Sequence, residues 1–356
     1  MTQLELFQKT MAHEPTGRFL FHCGYIRETR KNFFKHYGLP DDVSLRERFG
    51  AYEQQGVDMN PPADWQAPDF SRYFADMAIP ERAFINEIGV LEVPGSAFHF
   101  TQYISPLRNV TSVEECRDFP FRSVEGWTDA HMAAEVQKAH DAGLVAATFV
   151  GHQYEDAWQI RGYEQFLMDM LAAPEIPAYI LGRIHETVMT KTIAAAKTGV
   201  DVISTGDDVA TQRALIFKPE VWRRFLKPLW KEVYDTARAI HPGVKIWYHS
   251  DGDISAILPE LIEIGVDILN PIQPECLDAA WVKREFGRHI VLDGTIGTQT
   301  TMPFGDPAEV KRVIAHNKKT LGYDGALILS PTHVLEPEVS PENIMAFYEA
   351  CAEALD

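Results

Sequence analysis

Residues 244–274 read VKIWYHSDGDISAILPELIEIGVDILNPIQP. The apolar run Ile246-Trp247-Tyr248 breaks abruptly into His249-Ser250-Asp251-Gly252-Asp253. An amphipathic stretch follows, and a second apolar run then ends in Asn270-Pro271. A short apolar run, a polar end and an amphipathic stretch make one strand–helix unit. The same rhythm fills the second half of the chain. GVDVISTGDD precedes PEVWRRFLKPLWKEVYDTARAI, and VDILNPIQP precedes AAWVKREFG. HIVLDGTIG precedes DPAEVKRVIAHNKKTLG, and GALILSPTHV precedes PENIMAFYEACAEAL. Consecutive units of this kind dictate a parallel sheet with helical crossovers.

Working outward, GLVAATFVGHQYEDAW supplies a further strand, followed by YEQFLMDMLA and a long helix over about residues 177–197. RFLFHCG and GVDMNPP read as the first and second strands. Eight such strands predict an α/β chain folded as a (β/α)8 TIM barrel. Residues 84–107 alternate as a β-hairpin does, which places a hairpin insertion in the N-terminal part. An open doubly wound sheet would require a glycine-rich phosphate loop after the first strand, and HCGYIRETR is not one. No low-complexity linker or charge block divides residues 1–356, so one domain is expected.

With 46% hydrophobic and 24% charged residues and a mean hydropathy of −0.18, the composition is that of a soluble globular protein. No apolar run approaches the roughly 20 residues that span a bilayer, and MTQLELFQKTMAHEPTG lacks the pattern of a secretory leader. The expectation is a cytoplasmic protein with no membrane partner. The four cysteines are scattered, without a CxxC pair, which excludes a disulfide framework and a zinc ribbon. A net charge of −18 repels phosphate backbones, so nucleic acid is not an expected partner.

In a parallel barrel the strand C-termini gather around one face, where function sits. The polar residues ending these strands are His152 with Glu155, Asp207-Asp208, His249 with Asp251, Asn270 with Gln273, Asp293, and His333. Each admits a structural explanation: Asp207 or Asp253 as a helix cap, Asn270-Pro271 as a turn, His249 as a hydrogen-bonded core histidine. Together they predict a cup of carboxylates, imidazoles and amides, because burying several carboxylates side by side costs free energy unless protons, cations or ligands compensate. The expected catalytic set is Asp207, His249, Asp251 and His333, with Asp207 or Asp251 raised in pKa. Trp65, Tyr154, Trp158 and Trp247 are aromatic candidates near the mouth, as core residues or as a grip on an aryl or cationic substrate.

Four passages carry a resemblance: GVDVISTGDDVATQRALIFKPEVWRRFLKPLWKEV, YHSDGDISAILPELIEIGVDILNPIQP, FGRHIVLDGTIGTQTTMPFGDPAEV and GALILSPTHVLEPEVSPENIMAF. In this order, over roughly 40% of the chain, they resemble the uroporphyrinogen decarboxylase superfamily, which includes corrinoid- and zinc-dependent methyltransferases. The resemblance implies a (β/α)8 barrel with its site at the strand C-termini, often in a homodimer.

The decarboxylase branch carries an Arg-Gln-Ala-Gly-Arg signature after the first strand. Here that stretch is residues 22–30, HCGYIRETR, where Arg27 and Arg30 are differently spaced and Glu28 intervenes. A pocket for eight carboxylates needs dense positive charge. Asp58 is the counterpart of the decarboxylase's central Asp, and His333 falls where that family has a histidine. The methyltransferase branch holds zinc through His-x-Cys and a later Cys. His249-Ser250-Asp251 carries Asp in place of the first Cys, the later one falls near Ser330, and Cys276 is the nearby thiol. Zinc on His249 and Asp251, joined by Glu155 or His333, is the ligand set this implies.

These departures point to a methyltransferase that demethylates a small O-methyl or N-methyl substrate and passes the methyl group to cobalamin on a partner corrinoid protein. Asp58, Glu155, Trp158, Asp208, Asn270, Gln273 and Asp293 are the expected substrate-binding residues. The alternatives are decarboxylation of a porphyrinogen-type tetrapyrrole and a non-catalytic binding barrel.

Overall fold

The computed structural model describes residues 1–95 and 101–355. Eight strands form one parallel sheet: β1 (Leu20–Phe21), β2 (Gln54–Gly56), β6 (Val145–Phe149), β7 (Val202–Gly206), β8 (Lys245–His249), β9 (Ile268–Asn270), β10 (Val291–Asp293) and β11 (Leu327–Leu329). Their spatial order is β1-β11-β10-β9-β8-β7-β6-β2. Tyr52 N–H donates to Phe21 O at 2.6 Å, bringing the two ends of the sheet together into a (β/α)8 barrel.

Alternation along β8 shows how the strands serve two cores. Ile246 and Tyr248 are buried against the outer helices, with Tyr248 edge-on to Trp230, while Trp247 and His249 share the opposite, inner face. Inside the barrel, Leu20, Val145, Val202, Ile268, Val291 and Ile328 form a separate apolar layer. The helix Gln3–Met11 closes this layer from below. Its N-terminus is fixed by a capping box of Thr2 and Glu5, and its Phe7 stacks on Tyr52 at 6.5 Å. The inner strand surface above that layer is therefore the floor of the cup.

The second strand lies at Gln54–Gly56 and overlaps GVDMNPP only at Gly56; its exposed residues carry no apolar signature, and of them Gln54 lines the cup. Val57 N–H still reaches Ala147 O, and the chain then leaves the ladder. The expected hairpin is a three-stranded antiparallel sheet, β3 (Phe84–Ile85), β4 (Leu91–Pro94) and β5 (Thr101–Ile104). Residues 96–100 of the predicted hairpin lie outside the described residues.

Arg161 ties this region to the barrel. Only 2% of its side chain is exposed; it pairs with Asp169 at 2.8 Å and donates to the carbonyls of Leu107, Arg108 and Val110. The single helix expected over PEVWRRFLKPLWKEVYDTARAI is two, Pro219–Phe225 and Lys227–Ile240. Pro228 has no N–H, and its ring crowds the preceding turn. Asp253 accepts from Ser255 N–H in a turn, and the next helix, Leu258–Ile264, starts further on.

Candidate active site

The rim of the cup is built where β6, β7, β8 and β9 end. His249 Nδ1 lies 2.7 Å from Asn270 Oδ1. An amide oxygen only accepts, so Nδ1 carries a proton and Nε2 is the nitrogen whose lone pair the neutral ring offers to another partner. Nε2 is 3.7 Å from Asp208 Oδ1, which also accepts the Asp251 N–H at 2.8 Å. Ligand atoms of Asp208, His249 and Asp251 all lie within 4.8 Å of one another. Asp251 Oδ1 is buried without a hydrogen-bond partner, and burial raises the Asp251 carboxyl above its ordinary range against the pull of His249. One imidazole nitrogen and carboxylate oxygens converging on one point fit a divalent cation of borderline hardness, zinc included.

Beside this cluster, His152 Nδ1 approaches Glu155 Oε2 at 3.0 Å and Gly206 O at 2.7 Å. Burial opposes charge on His152, and the Glu155 carboxylate prevails, pushing the imidazole up to about 10. Glu155 Oε2 also accepts from Asp208 N–H at 3.2 Å, so this ion pair positions the β7 loop.

Asp207 lies beneath the rim, fully buried. Its Oδ1 accepts the backbone N–H groups of Gln153, Tyr154 and Glu155 at 2.8–3.1 Å, and its Oδ2 accepts Trp230 Nε1–H at 3.0 Å. It caps the helix Tyr154–Arg161, which follows the neighbouring strand. Burial pushes its carboxyl up to about 8, against the His152 charge and the backbone N–H groups of Glu155 and Gln153, which pull it back toward the charged form. With its oxygens occupied, Asp207 is placed as a scaffold for His152 and Glu155, although those three residues also come within 4.8 Å.

The floor is a second constellation. Asp293, 2% exposed, receives Trp247 Nε1–H at 2.9 Å and Ser330 Oγ–H at 3.0 Å, and its Oδ1 lies 3.2 Å from His22 Nε2. Burial lowers a histidine's pKa, and here the Asp293 charge overcomes it, so His22 is raised. Asp293 is correspondingly lowered against its own burial, by His22 first. A cavity of about 240 Å³ opens on this pair, walled by Tyr52, Trp247, Ile268 and Ile328, with Gln54 and Ser204 as further polar groups. Trp247 and His249 stack at 18° with 5.7 Å between ring centroids, so floor and rim are continuous along β8.

A third space, about 200 Å³, lies between Asp251, Gln273, Thr298 and His333. Gln273 Oε1 accepts Gly252 N–H at 3.2 Å, holding the loop after β8.

A family model described as uroporphyrinogen decarboxylase (URO-D) matches residues 67–354. The chain belongs to the uroporphyrinogen decarboxylase family. Curated uroporphyrinogen decarboxylases are distant relatives. One from Chlorobium limicola is 23% identical over 187 residues, 52% of this chain and 51% of the relative, so that match spans about half of the relative's length. One from Chlorobium chlorochromatii is 19% identical over 301 residues, 82% of each. A solved methyltransferase from Methanosarcina mazei superposes with a TM-score of 0.67 at 14% identity, covering 99% of this chain and 98% of that one. At this identity the likeness is one of fold.

Against the family's pattern, Asp58 is half exposed, with its Oδ2 paired to Lys191 Nζ at 2.8 Å. Arg30 turns to Asp41 O and lies over the Phe34 ring, and Arg27 is on the exposed start of the helix Arg27–Tyr37. Ser330, at the place of the later thiolate, is buried on Asp293. Burial raises the Cys276 thiol. Of the aromatic candidates, Trp247 alone lines the floor. Tyr154 is fully buried, Trp158 meets Tyr103 and Tyr163 edge-to-face, and Trp65 packs on Trp127. Sequence reasoning missed His22, whose signal was a histidine directly after the first strand, and the role of Asp208 as the third member of the rim cluster. No helix among the described residues is long and apolar enough to cross a membrane.

Proposed function

We propose that this member of the family is a methyltransferase that takes a methyl group from a small O-methyl or N-methyl substrate and delivers it to a corrinoid carried by a partner protein. The observation that carries this reading is the charge of the cup. Among the described residues, neither the floor cavity nor the space beside His333 is lined by an arginine or a lysine. Among the described residues His22 is the one basic side chain on the floor and can pair with one anionic group, so a porphyrinogen with many carboxylates would leave most of them unpaired there, and each unpaired buried anion is costly. Asp58, needed to gather pyrrole N–H groups in the decarboxylase reading, is committed to Lys191.

Ethers and amines leave poorly unless their heteroatom is protonated or bound to a Lewis acid. Asp208, His249 and Asp251 are the residues that would hold a zinc ion, and a bound zinc would supply that Lewis acidity at the substrate heteroatom. Asn270 fixes the tautomer of His249, and the Asp251 N–H orients the Asp208 carboxylate. The His152–Glu155 pair holds the Asp208 backbone from the other side.

The test mixes the protein with cob(I)alamin and a panel of methoxyaromatics and methylamines while following methyl–cobalt absorbance. Methylation with at least one donor, lost in His249→Ala together with roughly one equivalent of zinc by elemental analysis, is the expected result. Absence of methylation across the panel, combined with turnover of a porphyrinogen, would overturn the proposal in favour of decarboxylation.

A further inference from the structure

We infer that the floor cavity seats a small monocyclic aromatic anion, of benzoate or phenolate type, through the His22–Asp293 pair. Resting on the methyl-transfer reading, it follows that the methyl group is presented to the rim as an aryl ether on that ring.

Size comes first. An apolar cavity of about 150 Å³ takes a benzene ring. The floor cavity, about 240 Å³, accommodates one ring with small substituents and is too small for a tetrapyrrole. Its walls suit a ring: Tyr52 and Trp247 offer aromatic surfaces, and the isoleucines beside them are apolar.

Charge decides the sign of the ligand. In the His22–Asp293 pair the histidine side chain is 37% exposed and the aspartate 3%, so the positive end of the pair meets the cavity. Asp293 is already engaged by Trp247 and Ser330, which leaves a cationic ligand no accessible carboxylate at the floor. His22 uses Nε2 toward Asp293, and its Nδ1 has no hydrogen-bond partner among the described residues. In the imidazolium that nitrogen is a second N–H donor, suited to a carboxylate or phenolate oxygen. The Ser204 hydroxyl, also on the cavity wall, is a further donor.

Position links floor to rim. Trp247 and His249 lie two residues apart on one face of β8, about 7 Å along the strand. A ring anchored by its anionic group at His22 and lying along Trp247 therefore directs an opposite substituent toward His249 and Asp208.

Calorimetric titration of the full chain with para-methoxybenzoate, with tetramethylammonium as the cationic control and no corrinoid present, tests the assignment. Saturable binding of para-methoxybenzoate is expected, with none for tetramethylammonium. Loss of one charge-assisted hydrogen bond predicts affinity weaker by about tenfold or more in His22→Gln. Ser204→Phe, which fills the cavity, should abolish binding, and it decides the matter if His22→Gln does not fold. No saturable binding to the folded parent protein, preference for tetramethylammonium, or parental affinity in either folded variant overturns the inference. Binding that behaves as expected without methyl transfer to cob(I)alamin would leave the cavity assigned and remove only the transfer reading.

Discussion

Replacing Asp207 by alanine separates scaffold from chemistry. The substitution strips the acceptor from three backbone N–H groups and from Trp230 Nε1, all around a carboxylate with no solvent exposure. Each buried donor left unpaired costs about 1–3 kcal/mol. Water entering the vacated space restores part of that, because the site is polar. The net expectation is destabilisation by about 3–5 kcal/mol, the scale of breaking a buried charged network. Asp207→Asn keeps Oδ1 as acceptor and sets its NH2 against the indole N–H, for about 1–2 kcal/mol. Urea unfolding followed by circular dichroism and by tryptophan fluorescence measures both variants through the shift in midpoint. Combining Asp207→Ala with Trp230→Phe should cost less than the sum of the two, since the second substitution removes a donor the first has orphaned. If Asp207→Ala unfolded within about 1 kcal/mol of the parent, an error margin well inside the value expected from four orphaned donors, while activity vanished, the scaffold argument would be refuted.

The floor ion pair has a defined pH window. His22 is raised above its ordinary 6.5, so its contribution is complete below 6.5 and fades as pH climbs through the higher folded value. Asp293 is lowered from 3.8, so its contribution is complete above 3.8 and is lost as pH falls through the lower folded value. Melting temperature against pH should therefore decline above 6.5, and His22→Gln should flatten that decline. Arg161→Ala removes the cation paired with Asp169 and a donor from each of three carbonyls at a buried site; a loss of about 3–5 kcal/mol is expected, with faster proteolysis in the inserted sheet, read by limited digestion and mass spectrometry. Asn270→Ala frees the His249 ring to turn, and zinc affinity should fall about 10–100-fold in a chelator competition; unchanged affinity would remove Asn270 as the orienting group.

Most of the barrel was legible because β7 to β11 are bounded by polar ends and carry short apolar runs, with β9, β10 and β11 buried on both faces. The second strand was not, since Gln54, Gln55 and Gly56 are exposed and without apolar side chains, and so look like a loop. Gathering of the rim residues was legible through parallel topology alone, which brings every strand end to one face. Their division of labour was not. Asp207 is recognised by backbone N–H groups of Gln153, Tyr154 and Glu155, and backbone groups have no side-chain signature in a sequence. His22 acquires its partner Asp293 from β10, two strands along the barrel wall but 271 residues away in sequence, a pairing no local pattern encodes.

The seam between β1 and β2 has its own consequence. Those strands contribute two and three residues, and the cylinder is drawn shut there by the bond from Tyr52 N–H to Phe21 O. A segment held by so little backbone pairing opens at lower cost than the long β7–β8 ladder. His22 stands on one side of that seam, and Tyr52 and Gln54 on the other. Anything gripping both sides from within acts as a clasp, so occupancy of the barrel and closure of its weakest joint are thermodynamically linked. Slowed deuterium uptake at the Tyr52 amide on ligand addition would be the visible mark of that linkage.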